Sequence, residues 1–157
     1  MSSNIMVHII GTLATLVMFL IISAATVSYV ASMTQAVISS QLEEVAAEVS
    51  STAVDLTVLA VNSKSESLVL EKTINIPTTV SNSPYSVLLV ESGGVWQVMA
   101  RLNAQPTVSG EAALWSGNSP TINMVQSTVS SGEPLIVRCQ KTTVGDSPSL
   151  TIQLFGG

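Results

Sequence analysis

Few residues in this 157-residue chain have the chemistry for catalysis or metal binding, and their spacing keeps them apart. His8 is the only histidine and Cys139 the only cysteine. One thiol forms no intramolecular disulfide, and one Cys with one His falls short of a zinc ligand set. His8 sits in an apolar segment, where an ionisable group is a functional candidate by default. It is also close to the terminus, where it can reach an interface or accept a hydrogen bond, so a structural role is the simpler reading. It is too far along the chain from the polar half to be assigned to a Ser–His–acid triad. Glu43, Glu44 and Glu48 form an acidic helical cluster that reads as a solvated or partner-facing surface. Trp96 falls on the apolar parity of its strand and reads as core, whereas Trp115 precedes Ser116-Gly117-Asn118 and reads as a loop residue. Cys139 shares a face with Leu135 and Val137 and reads as core. No Gly-rich phosphate loop follows a strand. The expectation is a protein that is not an enzyme and holds no cofactor.

The elements that carry these residues are announced by charge. Residues 1–42 contain no Lys, Arg, Asp or Glu, and every charged residue lies between Glu43 and Asp146. Charged residues make up only 10% of the chain, against roughly 25% in ordinary soluble domains. Ser and Thr fill the gap, so the surface is largely neutral and hydroxylated. Five cations against ten acids, a net charge of −5, argue against nucleic acid, which needs a basic footprint. The same balance argues against docking on anionic lipid. No Asn-x-Ser/Thr acceptor occurs, so any glycans would be O-linked, on Ser or Thr.

From Ile5 to Ile38 the sequence is dominated by Ile, Leu, Val, Met and Ala, longer than the ~20 residues that span a bilayer core. Gly11 is the only glycine in this stretch and no proline occurs before Pro77, so the spacing predicts one helix over about 4–61. Ser2, Ser3 or Asn4 would cap its start, and Asn62 in a left-handed conformation would end it. The second half is amphipathic. Ile38, Leu42, Val45, Val49, Ala53, Leu56 and Leu59 recur at three- and four-residue steps on one face. Of these, Ile38, Leu42, Val45, Val49, Leu56 and Leu59 are the expected contacts with the head. Three readings of the rod compete: a membrane anchor, a cleavable secretory signal, and a helix that first sits in membrane and later packs among identical helices. A signal fits poorly, since no basic n-region precedes the long apolar span. Ala14, Ser23, Ala24, Ala25, Ser28, Ala31 and Ser32 permit close helix approach and favour the last.

After Ser65 the period becomes alternating. Runs at 68–76, 85–91, 95–102, 111–115, 121–127, 134–141 and 149–155 predict about seven strands. Ser92-Gly93-Gly94 reads as a hairpin turn, with Ser109-Gly110, Gly117-Asn118, Ser131-Gly132 and Gly145-Asp146 as further turns. The loosest stretches are 77–84 and 103–110. The fold class is α+β, a long N-terminal helix packed on a small antiparallel β-sandwich or barrel-like head. Residues 1–62 form the helix and 63–157 the head.

Uncharged helix, amphipathic stem and Ser/Thr-rich β-head together resemble the archaeal type IV pilin-like family of adhesive pilins, archaeal flagellins and their accessory proteins. The resemblance spans the whole architecture. It rests on Ile5–Ile38 followed by Gln41-Leu42-Glu43-Glu44-Val45, and on Ile74-Asn75-Ile76-Pro77 with Ser83-Pro84-Tyr85-Ser86-Val87. It implies a precursor inserted in the membrane, handled by pilus assembly machinery, and extracted into an extracellular homopolymer at the cell surface. The assembly core would be Ile5, Ile9, Leu13, Leu16, Leu20, Ala24, Val27 and Ala31. Two features depart from the pattern. No basic leader precedes the apolar run, so a leader has been removed or never existed; and Ile5 stands where bacterial pilins carry Glu. The leaderless, stator-like accessory proteins of the archaellum, anchored in the membrane without polymerising, are therefore the alternative.

Overall fold

The computed structural model describes residues 2–92, 95–115, 122–125, 127–144 and 147–156. Helix α1 runs from Ser2 to Asn62. The chain falls into two compact units, Met1–Val37 and Ile38–Gly157. The packing boundary thus lies inside α1, well before the end of the helix as an element.

In the first unit α1 is uncharged and its large side chains are exposed. Thr hydroxyls are absorbed by the helix itself. Thr12, Thr15, Thr26 and Thr34 donate to the carbonyls of His8, Gly11, Ile22 and Val30 at 2.6–2.9 Å. A hydroxyl bonded this way can be placed in an apolar environment at low cost.

Among the described residues the second unit contains eight strands. They are β1 (Ser67–Ile74), β2 (Tyr85–Ser92), β3 (Val95–Leu102), β4 (Ser109–Trp115), β5 (Ile122–Met124), β6 (Thr128–Ser130), β7 (Leu135–Val144) and β8 (Ser147–Gly156). Two four-stranded sheets result, in the orders β1-β7-β8-β5 and β4-β3-β2-β6. All pairings are antiparallel except β5 with β8. The expected run 121–127 holds only β5, and β6 follows it unexpectedly, because the chain changes sheets there. Val125 donates its amide to Ile152 of β8, while the Ser127 carbonyl accepts from Leu89 of β2. The Ser127 hydroxyl accepts from the Leu154 amide, so one residue bonds both sheets.

The two sheets and the stem of α1 share one core. Leu42, Val45, Ala46, Val49, Ala53, Leu56 and Ala60 meet Val87, Leu89, Val98 and Ala100 from one sheet and Val137, Cys139, Leu150 and Ile152 from the other. Strand alternation delivers these residues inward, since successive side chains point to opposite faces. In β3 the alternate residues Val98, Ala100 and Leu102 are buried, as the sequence pattern predicts.

Several local expectations change. Ser109-Gly110 is the start of β4 and not a turn. A Cβ on Gly110 would come within 2.5 Å of Glu43 Cα and closer still to the Glu43 nitrogen and Leu42 carbonyl carbon, so glycine is what admits the helix. The stretch 77–84 is pinned. Val80 and Ser83 exchange amide–carbonyl bonds at 3.0 and 2.9 Å around Ser81 and Asn82, whose φ values of 50° and 63° fit a type I′ turn. Asn62 is not left-handed, the positive-φ residues outside glycine among those described being Ser81 and Asn82. The helix end is closed instead by the Lys141 ammonium, which donates to the Ser63 carbonyl at 2.7 Å. A cation there complements the negative end of the helix dipole. Gly93-Gly94, Gly117-Asn118 and Gly145-Asp146 lie outside the described residues.

Candidate assembly surface

The surface that demands an explanation is the rod. Ile5, Ile9, Leu13, Leu16, Leu20 and Val27 are 58–70% exposed, and Ala24 and Ala31 are exposed beside them. Eighteen large apolar side chains between Ile5 and Val37 are exposed. Isolated exposed apolar residues are normal, but a contiguous run of this size marks a membrane or protein contact. An 18-residue window of α1 has a mean hydropathy of 2.5 with none of it buried within the chain, so the helix is long and apolar enough to cross a membrane.

The stem behaves differently, because it covers itself with the head. Leu42, Val45, Val49 and Leu56 are buried and Ile38 packs against the core from its edge. Leu59 does not join them and is 60% exposed. At 3.6 residues per turn the buried line runs from Leu56 to Ala60, which turns Leu59 about 100° away from the core. The sequence pattern also overlooks the small and polar part of this face: Ala46, Ser50, Thr52, Thr57 and Ala60 are all buried. Ser50 donates to the Ala113 carbonyl of β4 at 2.7 Å and Thr57 to the Ala53 carbonyl at 2.7 Å. Both hydroxyls are thereby satisfied inside the core. A helix face with several small residues signals close approach to a backbone; β4 approaches α1 with Gly110 at Leu42–Glu43 and with the Ala113 carbonyl at Ser50.

Groups with reactive chemistry are occupied by the fold. The Cys139 thiol is fully buried in the core; burial pushes its pKa up, and a hydrogen bond with the Thr57 side chain acts the other way. A raised thiol pKa makes a poor nucleophile. Tyr85, also fully buried, donates its hydroxyl to the Pro77 carbonyl at 2.5 Å and its amide to the Ser131 hydroxyl at 2.9 Å. Burial first, and the Glu48 carboxylate second, push its pKa up to about 12. Arg138 pairs with Glu71 at 2.5 Å and lies 4.4 Å over the Phe155 ring, on a part-exposed face where such pairs contribute little. Trp96 packs half-buried against the core, while the side chain of Trp115 lies outside the described residues. Among the described residues no group of three His, Cys, Asp or Glu is placed to hold a metal.

No family model, curated protein or solved structure matches this chain.

Proposed function

We propose that this chain is a structural subunit of an extracellular type IV pilus-like filament, assembled through its N-terminal helices and used for adhesion or surface attachment. One observation carries the reading: an uncharged helical segment exposes eighteen large apolar side chains all round, yet belongs to the same helix whose later turns form part of the head core. Full burial of such a side chain is worth ~1.5–3 kcal/mol, and these are 47–70% exposed, so covering all eighteen would yield roughly 17–33 kcal/mol per copy in water. That exceeds the estimated cost of association, ~4–15 kcal/mol. Before assembly the rod would reside in a membrane, which its length and apolarity permit. The neutral, hydroxyl-rich head would form the outside and is compatible with O-linked glycans.

The second reading keeps the rod in the bilayer as the anchor of a non-polymerising, stator-like binding module. The membrane-spanning window favours it equally. Changing Leu13, Leu16, Leu20 or Val27 to Asp separates the two. The filament reading expects each variant to abolish filaments in negatively stained sheared surface material while the head stays folded. Filaments that survive all four substitutions would overturn it, and a chain recovered only as a detergent-bound monomer would support the anchor.

A further inference from the structure

Among the described residues, β1 is the one sheet edge left open along a full strand. β4 lies against α1, whose Ser50 hydroxyl bonds the Ala113 carbonyl, and β5 and β6 are three residues each. β1 has eight residues, pairs with β7 on one side, and has no strand on the other. The ladder decides which groups face outward. The Thr143 amide donates to the Glu66 carbonyl at 3.0 Å, so Glu66 and every second residue after it turn their amides and carbonyls toward β7. Ser67, Val69, Glu71 and Thr73 turn theirs to the open edge. Such an edge is a template for another strand.

The side chains specify which strand fits. On the core-side face the order is Glu66, Leu68, Leu70, Lys72. Reversed, the opposite charges exchange places and the leucines remain. A second β1, antiparallel and related by a twofold axis through Val69, therefore sets Glu66 against Lys72 and Leu68 against Leu70, each twice. In this register the outward backbone groups of Val69 meet those of its own copy, and those of Ser67 meet Glu71. Within one copy Glu66 and Lys72 stay six residues apart, about 20 Å along the strand. Among the described residues the one ion pair is Arg138 with Glu71.

Other registers fit worse. A slip of one residue turns the core-side face outward. A slip to the next allowed register sets Glu66 against Ile74 and Lys72 against Leu68 in one direction, and Lys72 against Lys64 in the other. Lys72 alone would guard the edge against pairing; about Val69 it finds its counter-charge. Water satisfies the open amides, but it leaves Val69 52% exposed and does not account for the reciprocal order.

We propose that β1 is a homotypic docking edge, where two copies join β1 to β1 about Val69 and run their two sheets into one. An isologous contact closes with two copies and cannot propagate a polymer. In filaments it would tie copies of neighbouring filaments side by side, many weak contacts acting together. In an anchored module it would make a dimer, so the contact does not rest on the filament reading. One strand edge covers less than the roughly 800 Å² per partner of a stable complex, so a single pair is weak.

The test is cross-linking of the full chain in detergent micelles with a short bifunctional thiol reagent, the wild type with its buried Cys139 serving as background. Val69→Cys should cross-link to itself. Ser67→Cys and Glu71→Cys should each fail alone and cross-link when mixed, because the register opposes one to the other. Lys72→Glu should slow the Val69→Cys reaction about tenfold by setting Glu against Glu twice, and adding Glu66→Lys should restore it. Equal rates at all three positions, no reaction at Val69→Cys, or a charge exchange that fails to restore it would overturn the proposal. In filaments, Lys72→Glu should disperse lateral bundles and leave single filaments intact; loss of the single filaments would overturn the twofold contact. Cross-linking in this register without any filaments supports the contact and sinks the filament reading.

Discussion

Removing the stem from the head should unfold the head, although every strand would be retained. A chain that begins at Ile38 keeps the second compact unit intact, whereas one that begins at Ser63 starts where the helix ends as an element. The shorter chain loses Leu42, Val45, Ala46, Val49, Ala53, Leu56 and Ala60 from the core. Leu42, Val45, Val49 and Leu56 alone represent ~1.5–3 kcal/mol each on full burial, or about 6–12 kcal/mol together. Typical domain stability is only ~5–15 kcal/mol. The loss also strips the Ser50 hydroxyl from the Ala113 carbonyl and uncovers the inner faces of both sheets. The assay is urea unfolding of the two chains followed by circular dichroism, with hydrogen exchange on the β2–β3 amides. The chain from Ile38 should unfold cooperatively and protect these amides, and the chain from Ser63 should show neither. A cooperative transition for the chain from Ser63, within ~2 kcal/mol of the longer one, would refute the claim that the stem is a core element.

Gly110→Ala should destabilise the chain from Ile38 by about 2–3 kcal/mol, because the new methyl meets helix backbone that cannot rotate away; a change in urea midpoint within error of zero would contradict the close approach. Tyr85→Phe should cost about 1–2 kcal/mol at pH 8 by leaving the Pro77 carbonyl without its donor. The same substitution fixes a pH effect. The folded Tyr85 stays protonated to about pH 12 while an unfolded tyrosine ionises near 10, so the unfolded state holds fewer protons in that window. Wild-type stability should therefore be full below pH 10 and fall by about 2 kcal/mol towards pH 12, relative to the Phe variant, as read by parallel urea titrations. Lys141→Met should lower stability by about 1–3 kcal/mol, since the Ser63 carbonyl at the helix end loses its donor and the dipole its cation; equal midpoints would show that this closure is dispensable.

Much of the fold was legible because two periodicities carry it. The charge-free run and the three- and four-residue spacing give α1 to within two residues at its start and one at its end. Alternation gives β3 residue for residue and the inward set Val98, Ala100 and Leu102. What escaped depends on contacts between distant segments. The ending of the expected run 121–127 as the short β5, and the unexpected β6 that follows it, are decided by Leu89 and Ile152, each far away in sequence. Gly110 looks like a turn residue until the helix is laid against it, and Leu59 looks like core until the smaller Ala60 takes its place. The helix stop at Asn62 gave no hint of Lys141, which lies on β7, 78 residues along the chain from Ser63. In the rod the apolar character of the exposed surface was legible, since a helix that is apolar all round needs no tertiary partner to define its surface. The back-bonded Thr residues were not, because their donors are used up only once the helix has formed.

What covers Ile5 to Val37 decides between filament and anchor, and a helical reconstruction of filaments sheared from the cell surface reads this directly. A filament subunit should appear there as the repeating unit, with Ile5, Leu13, Leu20 and Val27 buried against neighbouring copies near the axis and the β-head outside. A preparation in which the intact chain is recovered only in membranes, with the same side chains facing lipid, would contradict it.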